Sequence, residues 1–234
     1  MHKIDDQLAK VTARIHQAAI AAGRNPQTVR LIAVSKTQPA QALTAAYGCG
    51  QRAFGENYLQ EALDKQAQLA DLADIEWHFI GPIQSNKTRP IAAHFDWVHS
   101  VDRVKIAQRL SEQRLPELPP LNICVQVNID DETTKSGVSL AELPALVAAI
   151  DPLPRLRLRG LMAIPAADNN PAQQRAAFAK LRTALNDLCA QGYTLDSLSM
   201  GMSGDLEVAI AEGATFVRVG TDIFGARAPQ NFNE

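Results

Sequence analysis

Strand-like and helix-like runs alternate along nearly the whole of this chain, and that alternation limits the folds open to it more than any other feature. After an opening amphipathic pattern from Ile4 to Ala22, stopped by Gly23 and Pro26, strand-like runs begin at Arg30 (RLIAVS), Arg52 (RAFG), Glu76 (EWHFIG) and Asp96 (DWVHS). Four more begin at Leu121 (LNICVQVNI), Arg157 (RLRGLMAI), Leu195 (LDSLSM) and Thr215 (TFVRVG). Between them lie ALTAAYGCG, YLQEALDKQAQLADL, VKIAQRLSEQRL, LAELPALVAAI and AQQRAAFAKLRTALNDLCAQG. Apolar residues recur there at i, i+3, i+4 and i+7, the spacing of one helical face. Eight such units predict an α/β fold, a single (β/α)8 TIM-type barrel with an extra amino-terminal helix, as one domain over residues 1–234. An open doubly wound sheet is the alternative.

Composition closes several other routes. Lys+Arg total 23 against Asp+Glu 25, so no bulk field gathers nucleic acid or anionic membrane. The apolar stretches are too short to span a bilayer. The amino terminus, MHKIDDQLAK, carries two aspartates and lacks the apolar centre of a signal peptide. Cys49, Cys124 and Cys189 are scattered and show no CxxC spacing, so free thiols in a reducing cytoplasm are expected and a zinc site is not.

A barrel carries its chemistry at the carboxyl ends of its strands, with phosphate commonly bound after the seventh and eighth. The first strand ends in Ser35-Lys36-Thr37, the second in Glu56 and Asn57, the third in GPIQSNK, and the fourth in His99-Ser100. The fifth offers Asn128 and the sixth the apolar MAIP. After the seventh, Gly201, Ser203 and Gly204 lead into a helix whose expected N-cap is Ser203, and Gly220 and Thr221 follow the eighth. Backbone amides and hydroxyls there suit an anion. Either segment alone reads equally well as capping and turn residues; two at the barrel's phosphate positions favour a cradle.

Lys36 is the costly residue in this pattern, because an ammonium at the end of a buried strand must leave water. It can be a solvated strand end, a salt-bridge partner for phosphate, or a nucleophile whose burial supplies the neutral amine for a Schiff base. A ligand with an aldehyde and a phosphate would join both features. Pyridoxal phosphate is one; phosphorylated sugars, the substrates of Schiff-base aldolases, are another. Arg218, two residues before Gly220, shares its barrel face, and only a one-residue shift of register would turn it outward.

Taken together and in order, LIAVSKTQPA, FGENYLQEALDK, EWHFIGPIQSNK, VNIDDETTKSGV, RGLMAIPA, LSMGMSGDLEVAI and VRVGTDIFGAR resemble the pyridoxal phosphate homeostasis proteins, over about Leu8 to Arg227. That family is similar to the amino-terminal barrel of alanine racemases and to eukaryotic-type ornithine decarboxylases. The resemblance implies an internal aldimine between Lys36 and pyridoxal 5'-phosphate. It implies that Ser203, Gly220 and Thr221 hold the phosphate with backbone help from Met202, that Asn57 lies beside the cofactor, and that Arg218 faces the pyridine nitrogen. An arginine there stays protonated and disfavours the pyridinium, so carbanions gain less stabilisation than beside a carboxylate.

A racemase also needs a proton donor on the second face of such a carbanion. Racemase-like enzymes draw it from a further β domain, and with seven residues after Arg227 none is expected here. His78 and His99 are the in-chain alternatives, and neither is expected to serve. The resemblance therefore implies a non-catalytic carrier or regulator of vitamin B6, with apo pyridoxal-phosphate enzymes as possible recipients; a racemase-like enzyme acting on small amino acids is the alternative. Lys87 and Lys135 sit in loops where secondary contacts or plain solvation would explain them equally. Many relatives carry a lysine two positions after the Schiff-base residue, where this chain has Gln38. A monomer is expected.

Overall fold

The computed structural model describes residues 2–130, 132, 136–166 and 170–225; Lys135 lies outside them. All eight expected strands form: β1 (Arg30–Val34), β2 (Ala53–Glu56), β3 (Glu76–Phe79), β4 (Trp97–Val101), β5 (Leu121–Gln126), β6 (Leu156–Met162), β7 (Ser197–Ser199) and β8 (Phe216–Val219). Each pairs in parallel with the next. β8 returns to β1, with Arg30 opposite Phe216 and Ala33 opposite Val219, so the sheet closes and leaves no edge. The architecture is the barrel and not the open sheet.

Around it lie α1 (His2–Ala21), α2 (Ala40–Gly48), α3 (Leu59–Gln68), α4 (Thr88–His94), α5 (Val104–Gln113), α6 (Leu143–Ile150), α7 (Pro171–Ala190), α8 (Leu206–Ala211) and α9 (Thr221–Phe224). The extra helix α1 ends where Gly23 takes a φ of 67° and the amides of Gly23 and Arg24 reach back to Ile20 and Ala19. Glycine enters that left-handed cap without a Cβ penalty. α4 and α9 have no counterpart in the apolar periodicity: α4 has seven residues with Pro90 in its first turn, and α9 has four. A proline is tolerated there because first-turn amides lack helical partners.

One expectation is corrected. Ser203 does not cap α8, which begins at Leu206 after Asp205. The Asp205 carboxylate instead accepts from the Met202 amide at 2.6 Å, drawing the preceding turn together.

Apolar side chains pack in two places. Ile15, Leu43, Phe79, Ile106, Leu110 and Phe178 belong to the large core between sheet and helices. Ile32, Ala53, Trp97, Cys124, Met162 and Phe216 form a smaller cluster inside the barrel. Strand alternation places Arg218 and Gly220 on the same inner face as Phe216, the register expected for Arg218. Cys124 is inert there, since burial pushes its thiol up to about 12. Among the described residues, no helix is long and apolar enough to cross a membrane.

Candidate functional site

Lys36 leaves β1 on a tight turn. The Gln38 amide donates to the Ser35 carbonyl at 3.0 Å, with Lys36 and Thr37 at the corners. Thr37 has a φ of 64°, a conformation that turns of this kind usually assign to glycine. A β-branched residue in it is strained, by roughly 1–3 kcal/mol, and such strain clusters at functional sites.

A buried ion cluster holds the turn in place. Lys65, on α3, donates to the Ser35 carbonyl at 2.7 Å, to Glu56 at 2.8 Å and to Glu61 at 2.6 Å. Glu61 also accepts from the Thr37 amide at 2.5 Å. The peptide groups on both sides of Lys36 are thus fixed through one ammonium. Glu56 accepts from Ser35 Oγ at 2.6 Å, and burial pushes its carboxyl up while Lys65 and Ser35 pull it down. Glu56 belongs to this support and does not line the cavity above it.

That cavity, about 250 Å³, opens at the carboxyl ends of the strands. Lys36, Asn57, Met202, Ser203, Arg218, Gly220 and Thr221 all line it, as does Gln38. Val34, Ile80 and Ile164 supply apolar wall. The Asn57 Oδ1 atom is buried and finds no hydrogen-bond partner among the described residues, a costly state unless a ligand meets it. A Cβ on Gly220 would stand 3.0 Å from the Val34 carbonyl oxygen, so the cavity edge there is bare backbone.

Arg218 is buried. Its Nη1 donates to Ser199 Oγ at 2.8 Å and its Nη2 to the Ala163 carbonyl at 2.9 Å. Burial lowers its guanidinium to about 10, with Asp205 opposing, so it stays protonated at neutral pH. Among the described residues both of its hydrogen-bond acceptors are neutral, so those bonds leave its charge uncompensated at the cavity.

Two expected parts sit differently. Gly201 does not line the cavity; its φ is 94°, a Cβ there would meet that of Ala209 at 2.5 Å, and its carbonyl accepts the Arg218 amide at 2.9 Å. The Met202 amide is engaged by Asp205, so Met202 contributes wall and not a spare donor. His78 and His99 are fully buried below the cavity and bond to each other at 2.9 Å. Ser100 donates to the Gly81 carbonyl at 2.6 Å, and Lys87 is exposed on a short 3-10 turn. Sequence reasoning did not single out Lys65, the strain at Thr37, or Ser199. A helix lysine reads as a solvated face, and a threonine carries no mark of a left-handed backbone.

An eight-stranded parallel barrel whose cavity at the carboxyl ends of the strands is lined by a lysine and an arginine defines the class, an α/β barrel with its site in the usual place, and comparison gives its type. The family model described as "Alanine racemase, N-terminal domain" matches residues 7–228. The pyridoxal phosphate homeostasis protein of Pseudomonas aeruginosa is 65% identical over 227 residues, covering 97% of each chain. That of Escherichia coli K12 is 52% identical over 229 residues, covering 97% of this chain and 98% of the relative. The chain belongs to the pyridoxal phosphate homeostasis protein family. Among solved structures, PipY of Synechococcus elongatus PCC7942, with pyridoxal phosphate bound, superposes with a TM-score of 0.84 at 41% identity, covering 95% of this chain and 100% of that one. Alanine racemase of Corynebacterium glutamicum shares the fold at a TM-score of 0.68 and 21% identity, over 98% of this chain and 63% of the enzyme.

Proposed function

We propose that this protein binds pyridoxal 5'-phosphate reversibly, as a Schiff base on Lys36, and serves intracellular vitamin B6 homeostasis without turning over an amino acid. The observation that carries the reading is that Lys36 and Arg218 line one cavity with the Ser203 and Gly220-Thr221 segments. The residues fit the group: an amine for the aldehyde, hydroxyls and backbone for the phosphate, and the Asn57 side chain, its Oδ1 buried, on the same cavity wall. The names of the relatives, and the cofactor in PipY, support it. When bound, the group supplies an electron-accepting ring conjugated to an imine.

The chain's own groups favour holding over turnover. Arg218 offers only donors, so it disfavours a proton on a ring nitrogen beside it. Among the described residues, Lys36 and Arg218 are the ionisable side chains lining the cavity. A racemase needs a second proton donor across the ring from the first, and Arg218 cannot fill that role while it stays charged. Ser203 and Thr221 bind and orient; Val34, Ile80 and Ile164 exclude water from one wall. The mouth lets the cofactor leave toward apo enzymes that use it. We place the protein in the cytoplasm, working as a monomer of one barrel domain.

Protein loaded with pyridoxal phosphate and incubated with a panel of amino acids tests the non-catalytic claim. Release of cofactor without racemised, decarboxylated or dehydrated product is expected. Sustained turnover that is lost in Lys36→Ala would replace this reading with the racemase-like enzyme.

A further inference from the structure

A line of polar side chains runs through the barrel interior, where such folds usually pack branched apolar residues. Arg218 Nη1 meets Ser199 Oγ at 2.8 Å, and Ser199 Oγ meets His99 Nδ1 at 2.8 Å. His99 Nε2 meets His78 Nδ1 at 2.9 Å, and His78 Nε2 meets Glu76 Oε1 at 2.7 Å. Arg30 donates to the same Glu76 oxygen at 2.7 Å at the far end of the barrel. Ser199, His78 and His99 are all within 0% exposure, and Arg218 is 4% exposed. The rings of Trp97 and Phe216 pack against both histidines.

With both imidazoles neutral, the two ends set the direction of every bond between them. Glu76, as a carboxylate, only accepts, so His78 carries its hydrogen on Nε2. A neutral His78 then accepts at Nδ1, His99 donates from Nε2 and accepts at Nδ1, and the Ser199 hydroxyl donates to His99. The Ser199 oxygen is left to receive Arg218, which only donates. The run closes with every bond satisfied when both imidazoles are neutral Nε2–H tautomers. A proton added to His99 would make its Nδ1 a donor and leave the Ser199 hydroxyl hydrogen without its acceptor; one added to His78 would face the His99 Nε2–H donor unless His99 changed tautomer. Burial lowers both histidines, His99 well below its ordinary value, and against burial's upward push the hydrogen bonds from His78 and Arg30, with the Arg30 charge, hold Glu76 below the usual carboxylate range. The charged groups facing the pair are Glu76, Arg30 and Asp96 below and Arg218 above.

We propose that Ser199 and His99, seated on His78 and Glu76, are positioning residues that fix the Arg218 guanidinium and keep its charge directed at the ring nitrogen of the bound cofactor. This rests on the cofactor reading above for what Arg218 faces. Asp205 attracts Arg218 electrostatically. Removing the Ser199 oxygen frees the guanidinium to turn toward that carboxylate, which would blunt its charge and let the ring nitrogen take a proton more readily.

Two nuclear magnetic resonance measurements test this. In the protein without cofactor, histidine side-chain nitrogen shifts are expected to show both buried rings neutral with hydrogen on Nε2 at pH 7. In protein loaded with pyridoxal phosphate labelled at the ring nitrogen, the unsubstituted chain should give the shift of an unprotonated ring. Ser199→Ala should move that shift toward the protonated value. His99→Asn, which keeps an acceptor near the Nδ1 position, should stay close to the unsubstituted value. Either histidine cationic or hydrogen-bearing on Nδ1 would overturn the chain. An adduct whose ring shift is the same in Ser199→Ala would overturn the positioning role alone. No adduct in the unsubstituted protein would overturn the cofactor reading and the positioning role together, with the tautomers still judging the chain.

Discussion

Thr37 stands one residue from the proposed Schiff-base lysine, with a φ of 64° and a buried hydroxyl that finds no partner among the described residues. Both features cost stability, so Thr37→Gly is expected to stabilise the fold by about 1 kcal/mol, read as a higher midpoint in urea unfolding. A lower midpoint would mean that the threonine methyl contributes more packing than the strain removes. The lysine itself is legible from sequence, because an ammonium after four strand residues is hard to explain by packing. The turn that aims it is not, since Ser-Lys-Thr-Gln contains no glycine or asparagine to signal a left-handed residue. Arg218 is legible through strand alternation alone, once Gly220 is assigned to the inner face. Its partner Ser199 lies a strand away, and pairing across strands needs the register that only the closed sheet supplies.

Between elements, α3 is joined to β1 and β2 through Lys65, whose side chain is only 5% exposed. Lys65→Met is expected to cost about 3–5 kcal/mol, because it leaves the buried Glu56 carboxylate unpaired. Combining it with Glu56→Gln should recover a large part of that loss; chemical denaturation of the single and double variants measures the coupling. Additive losses would show that the two groups are not energetically paired. A second contact lies between β6 and β7, where a Cβ on Gly160 would fall 1.8 Å from the Ser197 carbonyl oxygen. Gly160→Ala should therefore destabilise the barrel by roughly 3 kcal/mol, at or above the usual overpacking range, and a neutral thermal shift would contradict the close approach. The strands and the longer helices follow from apolar period. α4 and α9 escape it because seven and four residues are too few to display a helical face.

The molecule as a whole is a barrel capped on one side by α1, whose Arg14 bonds Glu207 of α8 at 2.9 Å, Asp222 of α9 at 2.7 Å and the Ser203 carbonyl at 3.0 Å. The alternation of eight strands makes that topology readable before any coordinate is known. The polar line through its interior is not, because His78 and His99 alternate with apolar neighbours as core residues do. That line gives the fold an acid limit. Both histidines titrate near pH 6.5 in an unfolded chain and lower in the fold. Below about pH 6.5 the unfolded state therefore binds more protons, and stability, fully present above that pH, falls as pH drops toward the folded values. The slope is at most about 1.4 kcal/mol per pH unit for each histidine, His99 contributing the larger part, and His99→Asn should remove its contribution. A pH series of urea melts with no difference between the variant and the unsubstituted protein would contradict this. The account rests most heavily on Lys36. The measurement that tests it most directly is a visible absorption spectrum of protein incubated with pyridoxal phosphate, before and after borohydride, with the modified peptide mapped by mass spectrometry. A band that vanishes on reduction and leaves a pyridoxyl group on Lys36 is the predicted result; a colourless protein, or an adduct only on other lysines, would contradict it.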